Sequence, residues 1–130
     1  MIIRSNQQSA LQAQGWLAYQ VRLCGYLRTR NLPTVAELAE PELLRRSGIA
    51  ISRARRHNLD DECSVAAFAA LMFSISPRFD EHSAAAAVLA DRSLESNARM
   101  NAMTTRLSAD DWRQAAEMPG DDIWESQAGT

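Results

Sequence analysis

An all-α fold is predicted for this 130-residue chain by three features of its sequence. The run from Cys63 to Ile75 contains no charge, Gly or Pro, is too short to span a bilayer, and is too apolar all round to lie on a surface. Elsewhere apolar residues recur at spacings of three and four, the period of a helix buried along one side. No stretch alternates apolar and polar residues as a half-buried strand does, and there is no internal repeat or low-complexity tract. The expectation is a single compact domain, residues 1–118, of five or six helices around a central apolar helix at about 61–75, with a flexible acidic tail at 119–130.

The first helix is expected from about Ser9 to Arg30, with Leu11, Leu17, Val21, Cys24 and Leu27 as its aliphatic face. Gly15 and Gly25 weaken it by up to about 1 kcal/mol each relative to Ala. Pro33 closes the segment, and Thr34 is a candidate cap for a short turn from Val35 to Ala39. A second long helix should run from about Pro41, a residue suited to a first turn, to His57. Leu44, Ile51 and Ala54 mark its inner face, Gly48 permits a close approach, and Asn58 tolerates the left-handed conformation that ends helices.

The central helix follows. Asp60 is its expected N-cap, with Asp61 and Glu62 in the first turn where the helix dipole favours negative charge. Val65, Phe68, Leu71, Met72 and Ile75 are its candidate core residues, each contributing about 1.5–3 kcal/mol if buried. Pro77 stops it, and the connection after it is anchored by Phe79. A short helix from Ser83 to about Ala90 carries Val88 and Leu89. Another, Asn97 to Leu107, carries Met100, Met103 and Leu107. Ser108 with Asp110 and Asp111 opens a last helix to about Met118, with Trp112 and Ala116 inside.

Bulk composition narrows the function classes. A chain 46% apolar and 23% charged can bury a core, so wholesale disorder is excluded. All fourteen basic residues are Arg. Residues 1–58 hold nine Arg against three Glu, a net +6, and residues 59–130 hold five Arg against thirteen acids, a net -8. Mutual attraction of the two halves accounts for this asymmetry better than a nucleic-acid site, which usually needs a basic excess over the whole domain. The first residues lack the apolar core of a secretory signal and no stretch suits a membrane span, so a cytoplasmic location is expected. Cys24 and Cys63 both lie in apolar helical surroundings, where a free thiol packs as a small hydrophobe.

No motif specifies a reaction. There is no His-Glu-x-x-His, Cys-x-x-Cys, Gly-x-Ser-x-Gly or phosphate-cradling Gly loop. His57 and His82 have carboxylates nearby, but acids and histidines at helix ends are ordinary structural features. Cys63 is flanked by Asp61 and Glu62, the wrong charge for an activated thiolate. No catalytic, cofactor-binding or metal-binding residue is assigned, and no cofactor is expected.

Two sides of the chain carry more charge or aromatic area than a solvated helix requires. Arg45, Arg46, Arg53 and Arg56 fall on the basic side of the second helix, and Trp16, Tyr19 and Tyr26 lie beside the aliphatic face of the first. Both are candidate protein-binding surfaces, the aromatic one as an affinity anchor and the basic one as an aid to association.

Three stretches, taken in order, resemble a family of small helical proteins of Gram-negative bacteria encoded beside type VI secretion genes for spike-tip (PAAR) proteins and toxic effectors. They are Leu27 to Pro33; Gly48-Ile49 through Arg53-Ala54 to His57-Asn58-Leu59 and Glu62; and Leu71-Met72-Phe73 with Pro77 to Asp80 and Val88 to Asp91 through Arg99. The similarity covers most of residues 10–107, and the family pattern has Gly where this chain carries Asn58 and Ser76. The resemblance implies a non-enzymatic adaptor or co-chaperone whose partner is a type VI effector, its loading chaperone or a PAAR protein. An immunity protein that inhibits a cognate toxin is the second reading, and a small enzyme or nucleic-acid binder the third.

Overall fold

The computed structural model describes residues 4–125, with side chains from residue 15 onward. It is all-helical, with eight α-helices among the described residues: α1 (Arg4–Thr29), α2 (Pro33–Ala36), α3 (Glu40–Arg56), α4 (Glu62–Ser74), α5 (Ser83–Leu89), α6 (Ser96–Arg106), α7 (Ala109–Ala116) and α8 (Asp121–Glu125). The count exceeds five or six because α2 and α8 are single turns. A 3-10 turn, Phe79–Glu81, leads into α5.

Helix α4 is the centre of the fold, packed against α1, α2, α3 and α6. Its cap is Asp61, not Asp60: the Asp61 carboxylate accepts the Ser64 backbone N–H at 3.0 Å. Val65, Phe68, Ala69, Met72 and Phe73 are buried, whereas Leu71 and Ile75 are only half-buried and Cys63 is exposed. Phe68 meets Phe79 at 5.0 Å between ring centroids, a contact that seats the 3-10 turn on the central helix.

Helix α1 is turned relative to the sequence expectation. Its buried residues are Tyr19, Leu23, Cys24 and Leu27, with Trp16 and Gln20 half-buried beside them, so Leu17 and Val21 project outward. The α1–α3 contact decides this. Gln20 donates through Nε2 to the Leu44 carbonyl at 2.7 Å, and that amide sits 2.8 Å from where a Cβ on Gly48 would stand, so the glycine leaves room for this hydrogen bond. Helix α3 correspondingly buries Leu43, Ser47, Ile49, Ala50, Ile51 and Ala54 and leaves Leu44 exposed.

Turns are closed by side chains. Pro33 occupies the first position of α2 after Leu32, and Thr34 is not a cap but donates its hydroxyl to the Phe73 carbonyl at 2.5 Å. Arg28 donates to the carbonyls of Val35 and Leu38, tying the last turn of α1 to the end of α2 and the segment after it. Asn31 and Asn58 both take positive φ, 56° and 63°. Asn58 thus supplies the left-handed residue that ends α3. Ser108 caps α7 in a capping box with Asp111, and α7 buries Ala115, leaving Trp112 half-buried and Ala116 exposed.

Within the stretch expected as a tail, 119–130, the described residues pack against the domain. Gly120 is buried, a Cβ there would lie 3.0 Å from the Arg78 nitrogen, and Trp124 of α8 is buried. Residues 126–130 lie outside the described residues.

Candidate functional site

Of the seven candidate interface residues, Tyr19 is buried, Trp16, Arg45, Arg46 and Arg53 are half-buried, and Tyr26 and Arg56 are exposed. Tyr19 is buried, and its hydroxyl donates to the Glu62 carbonyl at 2.8 Å. Burial first, and the nearby Glu62 charge second, push its pKa well above the ordinary range, so it stays a neutral donor. Trp16 packs edge-on against Tyr19 at 5.3 Å and lies under the Arg55 guanidinium at 5.0 Å. Of the three aromatics only Tyr26 is exposed, with Arg30 over its ring at 5.8 Å.

The arginines of α3 are similarly engaged. Arg45 and Arg46 both grip Glu42, at 2.7 and 2.6 Å. Their hydrogen bonds pull the Glu42 carboxyl down to about 2. Arg53 points not to solvent but to Asp80 and Glu81, at 3.0 and 2.8 Å. Arg56 is the exposed member of the set. The pairs Arg53–Asp80, Arg53–Glu81 and Arg22–Glu62 each join a basic residue of the first half to an acidic residue of the second. Part of the basic face is therefore neutralised within the chain.

Both histidines have structural positions. His57 meets the buried Asp80 carboxylate through Nε2 at 2.8 Å; since the carboxylate accepts, that nitrogen carries the proton. His82 accepts the Ala84 N–H on Nδ1 and meets Gln114 through Nε2, so its ring caps α5. Among the described residues no group of three His, Cys, Asp or Glu is placed to hold a metal ion, and no helix is long and apolar enough to cross a membrane.

Two surfaces remain that sequence reasoning assigned differently. The first is the outward side of α1, where Leu17 is 67% and Val21 63% exposed, one turn apart. Ala18 and Gly25, three and four residues from Val21, are exposed beside it, and a Cβ on Gly25 would meet nothing within 4 Å. On the other flank of α1, a groove of about 390 Å³ toward α4 is lined by Tyr19, Arg22, Tyr26 and Cys63. The signal was present in the sequence as glycines in a helix, but it was read only as a weakness.

The second surface is where α8 sits. Trp124 stacks on Phe73 at 4.8 Å with the planes 20° apart, and the Arg46 guanidinium lies 5.4 Å from the indole centroid. Arg78 holds Asp122 at 2.5 Å.

No family model, curated protein or solved structure matches this chain. The functional reading therefore rests on these surfaces and on the resemblance carried by the sequence.

Proposed function

We propose that this chain is a non-enzymatic, protein-binding accessory factor that docks a helix of its partner along the outward side of α1. The observation that carries the reading is the pair Leu17 and Val21, exposed a turn apart, with Gly25 one further turn along the same side and no described atom within 4 Å of where its Cβ would stand. Isolated exposed aliphatics are commonplace. Here, however, Gly25 costs the helix up to about 1 kcal/mol relative to Ala, and a small residue beside large apolar ones lets a second helix approach closely. From the resemblance to type VI secretion cluster proteins, the partner we propose is an effector or its loading chaperone, which makes the chain an adaptor or co-chaperone.

The test is co-purification of the tagged chain from a host carrying the surrounding gene cluster, with the retained protein identified, beside a Leu17→Asp/Val21→Asp variant. Because both side chains face solvent, the variant should fold as the wild type does by circular dichroism and lose the partner. Retention of the same partner by the folded variant would remove this face from consideration.

A further inference from the structure

We infer that the cleft holding α8 is a receptor groove for an acidic helical segment with an aromatic anchor on a partner protein, and that α8 occupies it as a displaceable resident. This goes beyond the docking proposed for α1 and uses separate residues.

Three observations carry it. The recognition chemistry is visible in the resident: Trp124 stacks on Phe73 beneath the Arg46 guanidinium, while Asp122 pairs with Arg78. The groove thus offers an aromatic floor with arginines around it, and the segment Asp121-Asp122-Ile123-Trp124-Glu125 presents the complementary charge and ring. Next, the resident does not fill the site. A cleft of about 540 Å³ stays open beside Trp124, lined by Thr34, Met72, Phe73, Ile75 and Pro77. Finally, the resident is short, with Trp124 as its one buried side chain. Helix α8 is five residues long, Asp121, Asp122 and Glu125 are exposed, and it is tethered through residues 117–120. A longer helix with the same pattern would reach the polar and apolar groups of this open cleft as well, which is what allows it to compete with a tethered segment.

The occupant is assigned to a partner rather than to a second copy of this chain. Exchange of α8 between copies would reproduce the same contacts and leave the same volume open, so it gains nothing over the resident arrangement.

Two fluorescein-labelled peptides test the inference against the full chain, by anisotropy at low and high salt. One has the sequence of residues 119–130; the other is an unrelated acidic helical peptide with the pattern Glu-Glu-Leu-Phe-Asp. Trp124→Ala loosens the resident. Both peptides should bind this variant at least tenfold more tightly than wild type, more weakly as salt rises, and at least tenfold more weakly once Arg46→Glu is added. If Trp124→Ala does not fold, Asp122→Ala releases α8 from Arg78 with Phe73 still covered, and severalfold tighter binding than wild type is expected.

Several results overturn the inference. Equal binding to wild type and variant places the peptide elsewhere, and no binding to a folded variant shows that the groove recognises nothing in trans. Binding of the 119–130 peptide alone makes α8 an ordinary closing turn of the fold. A wild-type dimer in light scattering that Trp124→Ala converts to monomer makes a second copy the occupant.

Discussion

Arg53 and Asp80, from opposite-charged halves of the chain, form a buried ion pair at 3.0 Å, with side chains only 12% and 3% exposed. Asp80 also meets His57, and Arg53 also meets Glu81, so the pair fastens the end of α3 to the 3-10 turn. Removing one partner of such a pair strands the other charge. Arg53→Ala is expected to cost about 3 kcal/mol or more, with Asp80→Ala similar, and the double variant less than their sum. A double-mutant cycle by urea denaturation measures this, and strict additivity would mean that the pair contributes no coupling.

The same carboxylate sets an acid limit. Burial raises the Asp80 pKa, but hydrogen bonds from His57 and Arg53 outweigh it and hold the group below its usual value of 3.8. Glu42 is drawn from 4.5 to about 2 by Arg45 and Arg46. A carboxyl depressed in the folded state stabilises it above the unfolded pKa, and that contribution is lost as pH falls through the folded pKa. The melting temperature should therefore fall progressively from about pH 4.5 toward pH 2. In Glu42→Gln the upper part of this decline should flatten, which a pH series of thermal melts will show.

Phe68→Ala tests the assignment of the central helix. The ring is fully buried and meets both Phe79 and His57. A cost of about 3–5 kcal/mol is expected, a large part of the stability of a domain this size. A variant melting within a few degrees of wild type would contradict the packing.

What was legible in the sequence was local. The apolar run of α4, the Ser108 capping box and the left-handed Asn58 each depend on residues a few positions apart. The rotation of α1 was not legible, because its sequence is apolar in two registers, through Leu17 and Val21 or through Trp16, Tyr19 and Leu23. Gln20 meeting Gly48 and Arg55 covering Trp16 decide between them, and both contacts cross between helices. The docking of Trp124 was hidden for the same reason: Pro, Gly and acids around it suggest a tail, while Phe73 and Arg46 lie far off in the chain.

The three helical glycines should respond differently to alanine. At Gly15 and Gly25 the new methyl meets nothing, so each substitution should stabilise by about 0.5–1 kcal/mol through helix propensity. At Gly48 it must displace the Gln20 amide, losing a hydrogen bond of about 0.5–1.5 kcal/mol that offsets the gain. Thermal melts of the single variants separate the sites; a comparable rise at Gly48 would show that the Gln20 bond contributes little.

Arg99 is a cation buried inside the domain, 4% exposed. Its guanidinium donates to the carbonyls of His57, Asn58 and Leu89, at 2.8, 3.2 and 2.9 Å, so one side chain joins the C-terminal ends of α3 and α5. Those ends carry the negative pole of each helix, which favours a cation there. The planar fork matters as well as the charge, since an ammonium cannot hold the same divergent acceptors at once. Arg99→Met leaves all three carbonyls without this donor and should cost about 3 kcal/mol, and Arg99→Lys should recover less than half of the loss. Hydrogen exchange at the last turns of α3 and α5 provides the local readout. Both ends should lose protection together in either variant, whereas loss at only one would show that Arg99 does not couple the two helices.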